Sequence, residues 1–185
     1  MKTFFTADWH LGHENVIKFC ERPFANAYEM DAAIIDETNK LVGKNDRLII
    51  IGDFTSASMK ITHDYIHRIK CKNIILTFGN HEIRNRVKNF VKTYDIFEVK
   101  NPHIVCCHYP MAVWNKLHRG SYHLYGHSHG QAEEYLDKVF PDRRSMDVGI
   151  DNIYKLYGTY SPISKDQVIE RLGSRKGFWF DGKKH

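Results

Sequence analysis

Two continuous apolar runs with an amphipathic segment between them set the strongest limit on the fold of this 185-residue chain. The runs Arg47–Ile51 (RLIII) and Asn73–Phe78 (NIILTF) are typical of strands that are buried on both faces. Residues 57–70, between them, carry apolar side chains at helical spacing. Because a strand, a helix and a second strand in this order pair in parallel through a right-handed crossover, the pattern predicts an α/β fold.

The rest of the chain adds further elements to this unit. We expect a strand at Lys2–Ala7, and helices at Glu14–Cys20, at Ala27–Val42 and from Ser164 to Gly173. Short strand candidates with short connections follow in the second half, at Ile96–Val99, His103–Cys107, Tyr122–Tyr125, Ala132–Tyr135 and Ser145–Ile150. They predict a mainly antiparallel or mixed second sheet. No linker or repeat interrupts the chain, so we expect one domain over residues 1–185.

Polar side chains that bind metals follow directly after most of the predicted strands. They are Asp8 and His10, Asp53, Asn80 and His81, His108, and His127 and His129. Ligands bind outside the carboxyl ends of the strands in open α/β sheets, and strand ends hold side chains in place at little entropic cost. We therefore expect these groups to converge on one site.

The chemistry of this set favours transition-metal ions. Imidazole suits zinc, iron and manganese, whereas carboxylate and amide oxygens suit manganese and magnesium. The set holds more ligands than one ion needs, so two ions are expected, with the two oxygens of Asp53 available to bridge them. His81 is spare in this count, and the neighbouring Glu82 is placed to orient its ring.

The ordered motifs resemble those of the calcineurin-like metallophosphoesterase superfamily, whose pattern is Asp-x-His, Gly-Asp, Gly-Asn-His-(Asp/Glu), His and Gly-His-x-His. The corresponding blocks here are Asp8-Trp9-His10, Gly52-Asp53, Gly79-Asn80-His81-Glu82, His108 and Gly126-His127-Ser128-His129. The later stretches Met146–Asp151 and Ser161–Ser164 are similar to the closing segment of small bacterial and phage members. The resemblance covers nearly the whole chain. It implies an α/β/β/α sandwich of two mixed β-sheets flanked by helices.

The resemblance also implies a division of the ligands. Asp8, His10 and His129 would hold one divalent ion, Asn80, His108 and His127 would hold the other, and Asp53 would bridge them. A metal-bridging hydroxide would then attack phosphorus in line, with His81 near the leaving group. Manganese is the favoured metal, with iron, zinc, nickel and cobalt as alternatives. The Asp-Arg-Gly of protein serine/threonine phosphatases is absent after Gly52, which argues against that group.

Five further residues are candidates for substrate contacts or for support of the site. His13 and Asn15 follow the first motif and would either line the mouth of the site or pin its loop. Arg22 would either clamp a phosphate with its forked guanidinium or lie on the surface. Arg84 or Arg86 would reach the cleft from the segment after His81.

Composition narrows the range of partners and compartments. The formal net charge of +5 suits an anionic substrate, and a nucleic-acid partner stays open although no dense basic stretch supports it. No apolar run is long enough to span a membrane, and no signal peptide is visible. The four cysteines form no Cys-x-x-Cys pair, which favours reduced thiols and a cytoplasmic location.

The predicted function is therefore hydrolysis of phosphate esters, with nucleotide-type or other small phosphodiesters favoured. A phosphomonoesterase acting on a small molecule or a nucleic-acid end is the alternative. A metal-binding scaffold without catalysis is the alternative from another class, but every motif ligand is present. The pattern leaves the substrate and the oligomeric state undetermined.

Overall fold

The computed structural model describes residues 1–82, 84–87 and 91–177. The strands are β1 (Thr3–Thr6), β2 (Arg47–Ile51), β3 (Asn73–Thr77), β4 (Lys92–Tyr94), β5 (Phe97–Val99), β6 (Ile104–Cys106), β7 (Tyr122–Tyr125), β8 (Ser145–Asp147) and β9 (Ile163–Ser164). The helices are α1 (Glu14–Phe19), α2 (Ala27–Leu41), α3 (Met59–Arg68), α4 (Arg84–Val87), α5 (Glu133–Val139), α6 (Ile150–Tyr157) and α7 (Lys165–Leu172), with a 3-10 helix at Leu117–Arg119. The single domain over residues 1–185 stays a prediction.

The strands form two sheets. The first has the order β4-β3-β2-β1-β9 and is parallel except for β9, which lies antiparallel to β1 at the edge. The second has the order β5-β6-β7-β8, with an antiparallel pair of β5 and β6 followed by parallel pairs. The parallel β2 and β3 confirm the parallel pairing that the apolar runs predict. The second sheet is mixed and not mainly antiparallel.

Alternate residues of the apolar run in β2 serve two different cores. Ile49 and Ile51 face the second sheet and pack in the core between the sheets. Leu48 and Ile50 face the other way and pack with α2 side chains such as Ile34. On the far side of the second sheet, α5 lies over β7, because the hydroxyl of Tyr125 donates to a carboxylate of that helix. Both faces of β2 are buried, which explains its unbroken apolar sequence and confirms the α/β/β/α sandwich.

Two predicted strands in the second half are wrong in whole or in part. Residues 132–135 do not form a strand, because α5 begins at Glu133 with two acidic residues in its first turn and Lys138 in its last, which suits the helix dipole. The strand predicted over Ser145–Ile150 ends at Asp147, and α6 begins at Ile150. The described helices include none that is long and apolar enough to cross a membrane.

His123 on β7 points to the outer face of the second sheet and is fully buried there. Its Nδ1 donates to the carbonyl of Val105 at 3.0 Å, and its Nε2 accepts the backbone N–H of Met111 at 3.1 Å. These two bonds require the neutral imidazole, because a protonated ring has no lone pair left for Met111. The residue thus pins the loop after β6 to the sheet.

This burial predicts an acid-dependent loss of stability. Burial lowers the pKa of His123 to about 4, so the unfolded chain takes up this proton at a higher pH than the folded chain does. The contribution of neutral His123 to the unfolding free energy is complete above its pKa in the unfolded chain, which is about 6.5. This contribution is lost as the pH falls through its pKa in the folded chain, which is about 4. Between about pH 7 and pH 4 we expect the wild type to lose roughly 3 kcal/mol more unfolding free energy than His123→Gln. Urea titrations across this pH range measure the difference. If the unfolding free energies of the wild type and His123→Gln fall equally with pH, the prediction is wrong.

Candidate active site

The predicted motif residues meet where the carboxyl ends of strands from both sheets come together. Asp8 and His10 follow β1, Asp53 follows β2, Asn80 and His81 follow β3, His108 follows β6, and His127 and His129 follow β7. Backbone hydrogen bonds tie these loops to one another, from the N–H of His10 to the carbonyl of Asp53 at 2.9 Å and from Gly126 to His108 at 3.0 Å. The structure thus brings all five blocks together.

Five of the predicted ligands have a left-handed backbone. Their φ angles lie between 48° and 69°, although none of the five is glycine; they are Asp8, His10, Asp53, His127 and His129. Such conformations are uncommon for residues with a side chain, and they persist where the surrounding structure enforces them. Backbone strain of this kind concentrates at functional sites, and in the described structure five of the eight non-glycine residues with a positive φ are motif residues.

One group of donor atoms converges around Asn80. Its Oδ1 lies 3.1 Å from Nε2 of His108 and 3.1 Å from Nδ1 of His127. Nε2 of His108 also lies 3.3 Å from Oδ2 of Asp53. Nδ1 of His108 faces the carbonyl of Ile51 at 3.1 Å, so the ring directs its Nε2 toward the site.

Asp53 belongs to two groups of metal-liking side chains. One consists of Asp53, His108 and His127, and the other of His10, Asp53 and His81; within each, ligand atoms lie no more than 4.8 Å from one another. The shared carboxylate is the geometry expected of a bridging ligand. His81, which the motif count left spare, lies within ligand distance of His10 and Asp53.

The Nε2 atom of His10 is the clearest sign that a cation fits this site. It is buried and has no hydrogen-bond partner in the described structure, and it lies 3.6 Å from Oδ2 of Asp53. Burial lowers the pKa of His10 to about 3, so the ring is neutral with a lone pair to offer. A buried polar atom of this kind calls for a partner such as an ion, and the donor set of imidazole, carboxylate and amide suits manganese or zinc.

The buried carboxylates create a demand for positive charge. Burial and the nearby Asp147 raise the pKa of Asp8 to about 8. Burial opposes protonation of His108, but Asp53 and Asp8 outweigh it and raise the pKa of His108 to about 9. Both oxygens of Asp8 also accept the backbone N–H of His127, at 3.0 and 2.9 Å. Asp8 therefore holds the loop after β7 and lies within the same negative region.

The structure corrects the two roles weighed for Arg22. Its side chain is fully buried, so a surface role is wrong. All five of its N–H groups have partners inside the protein, in the carboxylate of Asp151, the carbonyls of Asp8 and Trp9, and the sulfur of Met30. It has no donor left for a substrate phosphate.

Glu82 supports the site differently from the prediction. Its carboxylate accepts the backbone N–H of Gly79 at 2.7 Å and the backbone N–H of Phe54, rather than a ring N–H of His81. The residue thus joins the loops after β2 and β3. Burial and the charge of Asp53 raise its pKa to about 6.

The remaining candidates differ in their surroundings. His13 caps α1 by accepting the N–H of Val16, and its ring lies 5.9 Å from that of His10, so it pins the loop and borders the site. Asn15 is exposed on α1. Arg84 pairs with Asp95 and covers the ring of Phe78. Nη1 of Arg86 donates to the carbonyls of residues 56 and 57.

Three residues of the site carried no predicted role. Asp147 accepts from the hydroxyl of Ser128 at 2.6 Å and from the N–H of Gly130 at 2.9 Å, which shapes the loop that carries the last two ligands. Asp151 accepts Nδ1–H of His129, and Cys20 lies against the same nitrogen. Asp147 is the last residue of β8 and Asp151 lies four residues further on, so the strand-end rule that found the ligands also applies to them.

Comparisons with known proteins agree with this fold and motif set. The family model for calcineurin-like phosphoesterases matches residues 1–181. An uncharacterized protein of Methanocaldococcus jannaschii is 24% identical over 177 residues, which cover 95% of this chain and 93% of that protein. A crystal structure of a protein of unknown function from Aquifex aeolicus matches with a TM-score of 0.71 and 21% identity, over 92% of this chain and 98% of that chain. The structural match supports the fold.

A methyl group at Gly79 tests how closely the site is packed. A Cβ there would lie 2.2 Å from Oδ1 of Asp53. We expect Gly79→Ala to cost about 1–3 kcal/mol of unfolding free energy, as overpacking does, and to weaken the binding of divalent metal ions by displacing the shared carboxylate. Gly43→Ala is the matched control, because its Cβ would lie 3.1 Å from a side-chain oxygen of Asp46, a much milder contact. Thermal unfolding and metal titration measure both effects, and equal behaviour of the two variants would contradict the prediction.

Proposed function

We propose, because this chain belongs to the calcineurin-like phosphoesterase family, that it hydrolyses phosphate esters with the help of two divalent metal ions. The observation that carries the proposal is the membership of Asp53 in both groups of ligand atoms. One carboxylate shared by two sets of imidazoles is the arrangement that a pair of ions requires. The orphaned Nε2 of His10 supports the same conclusion.

The residues divide between the proposed ions much as the motifs imply. Asn80, His108 and His127 would hold one ion, His10 with Asp8 and His129 would hold the other, and Asp53 would contact both. When bound, such a pair supplies positive charge to the phosphoryl oxygens and lowers the pKa of a water molecule toward neutrality. We propose manganese, which accepts both nitrogen and oxygen ligands, and iron, zinc, nickel and cobalt fit the same donors.

The protein's own groups hold the reacting parts in place. The backbone N–H of His81 donates to Oδ1 of Asp53 at 2.9 Å, which turns Oδ2 toward His10 and His108. The carbonyl of Ile51 orients His108 from behind. Such fixed donors and acceptors lower the cost of reorganisation during the reaction.

His81 is the proposed proton donor to the leaving oxygen. Its side chain is exposed, so it faces an incoming ester, and its ring lies 4.9 Å from that of His10. A general acid must lie within reach of the atom that it protonates, and this position beside the proposed ions meets the requirement. The proton would pass from an imidazole nitrogen of His81 to the departing alkoxide.

The open mouth favours small phosphodiesters as substrates. Asn80, His81 and His127 are all exposed, and the described chain carries no inserted cap domain above them. Nucleotide-type diesters fit such a site and the net charge of +5. A phosphomonoesterase is the second candidate, and a nucleic acid is a further proposed partner. The four free cysteines accord with the proposed cytoplasmic location.

Chromogenic phosphodiesters and phosphomonoesters, with and without manganese, test the activity. We expect metal-dependent cleavage, with the diester preferred. Asp53→Asn should lower metal content and abolish cleavage, because it removes the shared charge from both groups. If no ester is cleaved with any of the candidate metals, and Asp53→Asn binds as much metal as the wild type, the proposed function is wrong. Metal bound at full occupancy without turnover would favour the alternative of a metal-binding scaffold without catalysis.

Replacement of His81 separates proton donation from metal binding. We expect His81→Gln to retain both ions and to lose about 10²–10⁴-fold in rate on a poorly departing diester. The loss should be smaller on a monoester with a good leaving group. The control is His118→Gln. His118 is an exposed histidine in the 3-10 helix and belongs to neither ligand group. A loss of one metal ion in His81→Gln would instead make His81 a ligand.

A further inference from the structure

We propose that Asp151 and Arg22 form a positioning pair that presents His129, and with it the Asp8–His10 loop, to one of the two metal ions. The inference rests on the proposed function for the metal itself. It concerns two residues that stand outside the motif ligands and that contact those ligands from the protein side. Neither residue is proposed to touch the substrate.

Asp151 fixes the ring of His129. Nδ1 of His129 donates to Oδ2 of Asp151 at 2.6 Å, and this bond commits Nδ1 to the protein interior. Nε2 is then the nitrogen that remains for a metal. A carboxylate on the second nitrogen of a metal-binding histidine sets both the tautomer and the ring orientation. The ring of His129 stacks on that of His10 at 5.2 Å, so orienting one imidazole also restrains the other.

Arg22 holds Asp151 by a two-point contact. Nε donates to Oδ1 at 2.8 Å and Nη2 donates to Oδ2 at 2.7 Å. A planar guanidinium matches a carboxylate in this way, and a lysine cannot reproduce the match. The carboxylate of Asp151 thus accepts from the guanidinium at both oxygens and from His129 at Oδ2.

The same guanidinium holds the backbone of the first motif. Nη2 donates to the carbonyl of Asp8 at 2.8 Å, and Nη1 donates to the carbonyl of Trp9 at 3.0 Å. These carbonyls belong to a segment in which Asp8 and His10 have φ angles of 58° and 51°. Arg22 therefore supports the uncommon backbone conformation that carries two of the proposed ligands.

The pair connects parts of the chain that meet only in the folded protein. Arg22 follows α1, Asp151 lies in the first turn of α6, Asp8 follows β1, and His129 follows β7. The start of α6 is itself anchored to the first motif, because the N–H of Ile150 donates to the carbonyl of Ala7 at 3.1 Å. One ion pair thus sets the relative position of the first and last ligand motifs.

Charge explains why the two residues must act together. An unpaired guanidinium beside Asp8 and His10 would repel a metal cation, whereas Asp151 neutralises it. Removing one partner of a buried pair leaves an uncompensated charge. Asp151→Asn replaces the carboxylate by a neutral amide with a single acceptor oxygen, which cannot keep the contacts to both His129 and Arg22. At the same time it leaves the charge of Arg22 uncompensated beside the proposed ion.

Metal titration of variants tests the positioning pair. We expect Asp151→Asn to bind one manganese ion about 10- to 100-fold more weakly and the other with unchanged affinity, because partners of this kind have effects of that size on metal affinity. Activity should recover as manganese is raised. Arg22→Lys, which keeps the charge and loses the two-point contact, should weaken the same ion and serves as the second variant if Asp151→Asn does not fold.

Asp137→Asn is the matched control. Asp137 also pairs with a buried arginine, Arg143, at 2.9 Å and with Arg175 at 2.8 Å, and in the described structure neither arginine is hydrogen-bonded to a motif ligand. The thermal stability of Asp137→Asn should fall, while its affinities for the two manganese ions stay as in the wild type. A purely structural role for Asp151 would give the same result in the two variants.

The outcomes separate this inference from the proposed function. If folded Asp151→Asn and Arg22→Lys bind both ions as the wild type does, while Asp53→Asn loses metal, the positioning pair is overturned and the function stands. If the wild type binds no divalent ion, both proposals fail. Selective loss of one ion in both positioning variants, with the control unchanged, supports the pair.

Discussion

The burial of acidic side chains where the two sheets meet is the constraint on which the site depends. Asp8, Asp53 and Asp147 are all buried, and carboxylates removed from water need cations or N–H donors around them. The fold supplies backbone amides and imidazoles around these carboxylates. The pKa of His108 rises to about 9 despite burial, which shows how strongly this region attracts positive charge. A site that binds divalent cations follows from the placement of these carboxylates.

Bringing so many groups to one point requires an unusual backbone, and the loops provide it by bonding to one another. The left-handed residues Asp8 and His10 donate their backbone N–H groups across neighbouring strand ends, to the carbonyls of Gly52 and Asp53. The carboxylate of Asp8 also accepts the N–H of His127, in the loop after β7 of the other sheet. Each loop is thus held by another loop that is itself strained. This mutual support explains why the geometry belongs to the complete sandwich of two sheets and to neither sheet alone.

Features that depend on periodicity and on strand ends could be predicted from the sequence. The bounds of β2 and β7 match the predicted strands, and the motif residues meet as expected. Features that depend on contacts between distant segments could not. Arg22 gives no local sign that it is buried against Asp151, which lies 129 residues away, and Glu82 gives none that it accepts backbone N–H groups instead of orienting His81. The sequence does not predict helix α5, because four residues around its start are too few to distinguish the apolar spacing of a helix from that of a strand.

The same architecture divides the site into a buried side and an exposed side. Asp8, His10, Asp53 and His108 lie on the buried side, where any change of size or charge disturbs several partners at once, so this side is committed to holding ions. Tyr109, by contrast, is nearly half exposed, and its ring lies 4.8 Å from that of His127 and 5.0 Å from that of His108. Exposed rings and loops can change without disturbing the ligands. The choice among phosphate esters therefore belongs to the exposed side, whereas the metal chemistry belongs to the buried carboxylates and imidazoles.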